Sequence, residues 1–409
     1  MNARRYQLRK EAVGVAQRHP WIFRDHMSSA AEVVRDGELL RLVDGSNRVV
    51  GHGIYEATGA IAVRILRRGP APPDAAWLCG QLTAAVVKRA DLAERTDAVR
   101  LIHGESDGIP AVVIDRFADT LVVSSYSTGA DVLARYAAHA LNASPRDRSL
   151  SIANHGAGSA DPPSRRIASR VAGPMRHVIL RPARLRHGTA APTRTLRGSP
   201  PAIVHFVEDS LTLAVDLETG QKTGTYLDLR GLRREVAAQP LTGARVLNLF
   251  AYSGMLGRAA ESAGATSIVQ VDASDRALAF ASAHHVADPG KHTLIAADVF
   301  AWLPALTSEP FDLVIVDPPA MTSKATQAPV VLAAYRKLYR AAARQVRPGG
   351  NLVAACCTSR IERAAFHQVV REALGAPFRL DHEIPPEPDH PVGFAQADYL
   401  KIGWWRRSQ

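Results

Sequence analysis

The chain has 409 residues, 46% hydrophobic and 22% charged, the balance of a globular protein and too long for one ordinary core. No apolar run approaches the ~20 residues of a transmembrane helix, and the basic start, MNARRYQLRKEAVG, lacks the apolar centre of a secretory leader, so a cytoplasmic protein is expected. A net charge of +11 makes a phosphate backbone the first partner to consider, while three cysteines, Cys79, Cys356 and Cys357, exclude a disulfide framework and match no zinc-site spacing. Arginine-rich composition alone also yields such a charge, so charge by itself does not establish nucleic-acid binding.

Up to about Gly69, alternating apolar and polar residues with turns at Asp44-Gly45, Gly51 and Thr58-Gly59 predict a small β-rich module. The linker Gly69-Pro70-Ala71-Pro72-Pro73 closes it. Helical spacing follows from Trp77 to about Ala93. Strands are expected over Ala111–Asp115 and Thr120–Tyr126 around a turn at Phe117-Ala118-Asp119, then a helix over Asp131–Leu141. This reads as a middle α+β domain spanning 74–200. Residues 142–176, rich in Ser, Pro, Gly and Arg without a period, read as a disordered insertion.

After Pro201, continuous apolar strands alternate with amphipathic helices: RVLNLFAYSG, LGRAAESAGA, SIVQVDAS, RALAFASAHH, TLIAADV, FDLVIVDPPA, a long helix around Val330–Gln345, and NLVAACCTS. That pattern predicts an α/β domain over 201–409 with a parallel sheet covered on both faces. Two further strands are expected near Phe378–Ile384 and Ala397–Trp405.

The chemistry is expected at the carboxyl ends of these strands. Phe250-Ala251-Tyr252-Ser253-Gly254 turns out of an apolar strand into a helix, and the glycine permits close backbone approach to a polar ligand. Asp272 follows eighteen residues after Gly254, where a carboxylate can accept from both hydroxyls of a ribose; the alternative is a helix cap before Ser274. Without GxGxxG, a dinucleotide is disfavoured. Asp298 would end a third strand, within reach of an adenine amino group, and Asp317-Pro318-Pro319 closes a fourth. Cys356-Cys357-Thr358-Ser359 ends the strand NLVAA. A thiolate there can add to carbon 6 of a pyrimidine and activate carbon 5 toward a sulfonium methyl, or the cysteine can be a small core hydrophobe. Gly220 to Arg230, GQKTGTYLDLR, is equally a ligand-facing turn or a turn without function.

These residues carry a family resemblance. Arg18-His19-Pro20-Trp21-Ile22-Phe23, His103-Gly104-Glu105-Ser106-Asp107-Gly108-Ile109-Pro110, Gln221-Lys222-Thr223-Gly224 with Tyr226, Leu227, Asp228 and Arg230, Asp317-Pro318-Pro319, and Asp389-His390-Pro391-Val392 with Tyr399-Leu400-Lys401 resemble the large-subunit (23S) ribosomal RNA cytosine-5 methyltransferase I family. The resemblance implies a PUA-like RNA-binding β-barrel over 1–69, a middle α+β domain, and a Rossmann-like class I methyltransferase domain with a mostly parallel seven-stranded sheet. It implies S-adenosylmethionine as cofactor, 23S rRNA as partner, methylation of cytosine carbon 5, and by analogy a homodimer. Cys357 falls in the register of the family's nucleophile, with Asp317 beside the base, while Cys356 points into the core. Tyr226, Asp228 and Arg230 would help enclose the cofactor, Phe250 to Gly254 hold its methionine portion, Asp272 and Ala273 its ribose, and Asp298 its adenine. The alternatives are methylation of a purine ring nitrogen and a non-catalytic RNA-binding assembly factor. Tyr252-Ser253-Gly254-Met255-Leu256 and Ala320-Met321-Thr322-Ser323-Lys324 depart from the family pattern, mainly on the substrate side.

Overall fold

The computed structural model describes residues 3–27, 34–142, 171, 173, 175–183, 192–322 and 325–409. Of the insertion expected at 142–176, residues 143–170, 172 and 174 lie outside the described residues. The chain divides into two compact units. The first comprises Met1–Glu208, Val215–Leu227 and Pro388–Phe394, and the second Asp209–Ala214, Asp228–Glu387 and Ala395–Gln409.

The first unit holds two five-stranded sheets. One contains β1 (Arg4–Gln7), β2 (Trp21–Phe23), β3 (Leu39–Val43), β4 (Val49–Tyr55) and β5 (Ile61–Arg68), in the order β1-β3-β4-β5-β2. Helix α1 (Lys10–Arg18) buries Ala12 and Ala16 in its core beside Tyr6, Leu40 and Val63. The other sheet has the order β10-β9-β8-β7-β6, from β6 (Ala98–His103), β7 (Val112–Phe117), β8 (Thr120–Ser125), β9 (His177–Arg181) and β10 (Arg194–Arg197). Helices α2 (Ala75–Val87) and α3 (Asp131–Asn142) pack Leu82, Val86, Leu133 and Ala134 into its core. Asp74 starts α2 by accepting from the Trp77 amide at 2.7 Å, satisfying one orphan donor of the first turn. The expected strand at Ala111 begins one residue later, because Ala111 is left-handed at φ 58°.

Two buried ion pairs brace this second sheet: Arg89 to Asp107 at 2.6 Å and Arg100 to Asp115 at 2.8 Å. Several resemblance motifs converge on the same lattice. Trp21 Nε1 donates to Glu105 at 2.7 Å, Asp389 accepts from the Arg100 amide at 3.0 Å, and Gly393 donates to the Ser106 hydroxyl at 3.2 Å. Asp389 also lies 2.7 Å from His390 Nδ1. Their side chains build the fold of the first unit.

A hairpin, β11 (Ile203–Glu208) and β12 (Leu211–Asp216), precedes the Gln221-Lys222-Thr223-Gly224 segment in sequence. The second unit is a seven-stranded sheet of order β15-β14-β13-β16-β17-β19-β18. Its strands are β13 (Arg245–Leu249), β14 (Ser267–Asp272), β15 (His292–Ala296), β16 (Phe311–Val316), β17 (Val346–Cys356), β18 (Phe378–Ile384) and β19 (Lys401–Arg407). The first five in that order run parallel, and β19 pairs antiparallel with both β17 and β18. The helices are α4 (Arg230–Ala237), α5 (Met255–Ser262), α6 (Asp275–His284), α7 (Val299–Ala305), α8 (Ala328–Ala343) and α9 (Arg363–Leu374).

Strand β16 shows why the sheet forms: Leu313, Val314, Ile315 and Val316 are all at 0% exposure, as a strand covered on both faces requires. The strand expected over Ala397–Trp405 is corrected to Lys401–Arg407. Residues Ala395–Ala397 form a 3₁₀ turn closed by the Asp398 amide on the Ala395 carbonyl at 3.2 Å, which delays the extended chain. No helix among the described residues is long and apolar enough to cross a membrane.

Candidate cofactor and methyl-transfer site

The loop after β13 is forced into an uncommon shape. Phe250, Tyr252 and Gly254 are left-handed, at φ 60°, 47° and 77°. For the two aromatic residues such backbone costs of order 1–3 kcal/mol each and persists only when its surroundings hold it. A Cβ at position 254 would lie 2.7 Å from the Ala281 Cβ, so close packing as well as φ demands glycine there.

Three contacts fix this loop. The Ala251 amide donates to the Val271 carbonyl at 3.0 Å, and the Tyr252 amide donates to Asp272 Oδ2 at 2.8 Å. Beneath it, His285 Nδ1 lies 2.5 Å from the Ser253 carbonyl, and its Nε2 accepts from the Ala214 amide at 2.9 Å. That second bond fixes the tautomer: Nε2 must be bare, so Nδ1–H donates to Ser253. Burial pushes the His285 pKa down to about 4, which keeps the ring neutral.

Asp272 is half-buried at the end of β14. Its other oxygen accepts from the Ser274 amide at 2.9 Å, while Ser274 itself caps α6 by accepting from Ala277. Each carboxylate oxygen therefore makes one backbone bond and keeps a second lone pair for a ligand hydroxyl. Ala273, next to it, is exposed. Asp298 is exposed and caps α7 through the Phe300 amide at 2.9 Å. The Phe300 ring, 41% exposed, meets Phe250 edge to face at 5.5 Å. Two aromatic surfaces beside a strand-end acid suit a purine, so the donor set and apolar faces fit an adenosine. Phe300 was not legible as a site residue; an aromatic two positions after the acid was the available signal.

Asp317 is half-buried at the end of β16 and is followed by the buried Pro318. On the neighbouring strand the two cysteines face opposite ways, as alternation requires. Cys356 has no exposed surface and takes a hydrogen bond from the Tyr335 hydroxyl at 3.4 Å. Burial and that thiol push the Tyr335 pKa far up, so the hydroxyl remains a donor. Cys357 is half-buried, and its Sγ lies 3.5 Å from the Pro318 carbonyl. The Asp-Pro-Pro segment and Cys357 thus meet where β16 and β17 end.

The Gln221-Lys222-Thr223-Gly224 segment belongs to the first unit. The Thr223 hydroxyl donates to Asp115, and the Arg181 guanidinium donates to the carbonyls of Leu217, Gly220 and Lys222. Tyr226 donates to Gln221 at 2.5 Å, and the Lys222 ammonium sits 4.2 Å over its ring. Asp228 and Arg230 belong to the second unit. Buried Asp228 accepts from the Tyr399 hydroxyl at 2.7 Å, and buried Arg230 pairs with Glu387 at 3.3 Å. Among the described residues, no group of three His, Cys, Asp or Glu side chains could hold a metal.

Comparison with known proteins agrees with this geometry. Residues 166–398 match the model of the S-adenosylmethionine-dependent methyltransferase family, and residues 8–68 match a PUA-like domain. A ribosomal RNA large subunit methyltransferase of Deinococcus radiodurans is 31% identical over 398 residues, covering 94% of this chain and 92% of that protein. The ribosomal RNA large subunit methyltransferase I of Shewanella amazonensis is 29% identical, covering 94% of each. A methyltransferase structure complexed with SAH shares the fold at a TM-score of 0.80 and 19% identity, over 98% of this chain and 100% of that one. A Streptococcus mutans methyltransferase structure gives a TM-score of 0.78 at 18% identity over the same shares. The chain belongs to the S-adenosylmethionine-dependent methyltransferase family, with a PUA-like domain ahead of its class I fold and ribosomal RNA large subunit methyltransferases among its relatives.

Proposed function

We propose that this protein methylates carbon 5 of a cytosine in 23S rRNA, in the cytoplasm, through a covalent bond between Cys357 and the base. The observation that carries this reading is the half-buried Cys357 thiol at the end of β17, 3.5 Å from the carbonyl of Pro318 in the Asp-Pro-Pro segment. A nucleophile in contact with the segment that receives the base edge is what addition to a pyrimidine ring requires.

In this reading residues 1–69 form the RNA-binding PUA-like domain, 74–200 the middle domain and 201–409 the methyltransferase domain. Asp272 and Ala273 hold the cofactor ribose, Asp298 with Phe300 and Phe250 the adenine, and Ala251 to Gly254 the methionine portion. Asp228 and Arg230 help enclose it. When bound, S-adenosylmethionine supplies an electrophilic methyl group. A cytosine unstacked from the RNA enters the site. The Cys357 thiolate adds to carbon 6, and Asp317 holds the base edge while charge develops. Carbon 5, now enamine-like, takes the methyl. Loss of the carbon 5 proton to water re-forms the 5,6 double bond, breaks the carbon–sulfur bond and returns the thiolate.

The test is mass spectrometry of rRNA fragments from a strain lacking the protein, complemented with wild type or Cys357→Ala. One 5-methylcytosine should disappear and return only with the wild type. An unchanged modification map sinks the rRNA assignment. A lost methylpurine restored by Cys357→Ala assigns the chemistry to a purine ring nitrogen instead.

A further inference from the structure

Lys401 begins β19, and its side chain is 1% exposed, an unusual place for an ammonium. In the sheet register it lies opposite Cys356, the residue before the proposed nucleophile. Its Nζ donates to the Thr358 carbonyl at 2.9 Å and to the Tyr399 carbonyl at 3.3 Å. Thr358 is the residue after Cys357. Lys401 therefore ties the turn on one side of the thiol while standing beside the strand on the other. Tyr399, whose carbonyl it also holds, donates its hydroxyl to Asp228 at 2.7 Å. One short tail thus links the surroundings of the thiol to a residue of the proposed cofactor site. With its protons directed at carbonyls, the ammonium acts as a fixed cation rather than as a base.

We propose that Lys401 is a positioning residue for Cys357: it holds the turn that follows the thiol and supplies the buried positive charge that favours the thiolate. The proposal rests on the reading of Cys357 as nucleophile. A nearby cation in a site of low dielectric lowers a thiol's pKa and raises its reactive fraction. The other groups around the pair sort by sign. Asp317 at the end of β16 opposes a thiolate. Tyr335 and Tyr339 of α8 remain neutral, their hydroxyl pKa values pushed up by burial. Arg363 of α9 is committed to Asp398 and Glu383, at 2.5 and 2.8 Å. Burial lowers the Lys401 pKa, and the two thiols and Asp398 act against that shift.

The experiment is the pH profile of Cys357 alkylation by iodoacetamide in the full chain, without RNA, read by peptide mass spectrometry. The thiolate displaces iodide and forms a carbon–sulfur bond, so the rate follows the thiolate fraction, the thiol proton having gone to solvent. In wild type, half-maximal rate should fall below the ordinary thiol value of about 8.5. Lys401→Met should move it up by about one unit, about tenfold slower labelling at pH 7, while Lys401→Arg stays near wild type. A folded Lys401→Met with an unchanged profile overturns the proposal. Should that variant not fold, wild type alone decides: a midpoint at or above about 8.5 overturns it equally. Retained methylation by Cys357→Ala would sink the nucleophile reading without touching the alkylation result, so the two failures are distinguishable.

Discussion

The carboxylates of the two units serve opposite ends. In the first unit Asp107 and Asp115 are shut away from solvent, the one clasped by Arg89 just beyond α2 and the other by Arg100 of β6. In the second, Asp272 and Asp298 sit at strand ends, Asp272 accepting one backbone hydrogen bond on each oxygen and Asp298 one on Oδ1. A carboxylate whose lone pairs are consumed by arginine is part of the scaffold. One steadied by backbone amides alone stays oriented and keeps acceptor capacity for a ligand.

Breaking one member of each class should separate stability from binding. Asp107→Asn leaves Arg89 buried without its counter-charge and should lower unfolding free energy by roughly 3–5 kcal/mol, read from urea denaturation. An unshifted midpoint would mean that the pair contributes nothing to folding. Asp272→Ala should cost only about 1 kcal/mol of stability yet weaken S-adenosylmethionine binding at least about tenfold by calorimetry. Wild-type affinity in that variant would return the carboxylate to helix capping alone.

The buried histidines sharpen the contrast. His103 of the first unit is pushed down to about 2 and His285 of the second to about 4, in both cases chiefly by burial. A depressed folded pKa contributes stability that is complete above the unfolded value of about 6.5 and is lost as pH falls toward the folded value. The His285→Asn substitution should therefore shrink the loss of stability between pH 7.5 and 5 by about 2 kcal/mol. If wild type and the His285→Asn variant lose stability in parallel over that range, His285 does not carry the acid sensitivity of the loop.

Much of the second unit was legible because a parallel sheet writes itself in continuous apolar runs, and β18 was read to the residue. Asp272, Asp298, Asp317 and Cys357 were legible for the same reason: each follows such a run directly. His285 was not, since its partners lie 32 and 71 residues away and only the folded chain brings them together. Lys401 was visible as part of a motif, but a lysine in sequence carries no sign of burial. Arg230 illustrates a different limit, because Glu387, its partner 157 residues on, could not be inferred from spacing.

The strand order of the second unit has a temporal side. Strand β19 inserts between β17 and the earlier β18, so β18 has no place in the sheet until β19 has been synthesised. Up to that moment the edge of β17 offers unpaired amides and carbonyls, the kind of edge that recruits wrong partners. The five parallel strands that carry the acids can assemble earlier. The surroundings of Cys357 come last, when Lys401 enters with β19 and its ammonium reaches the Thr358 carbonyl.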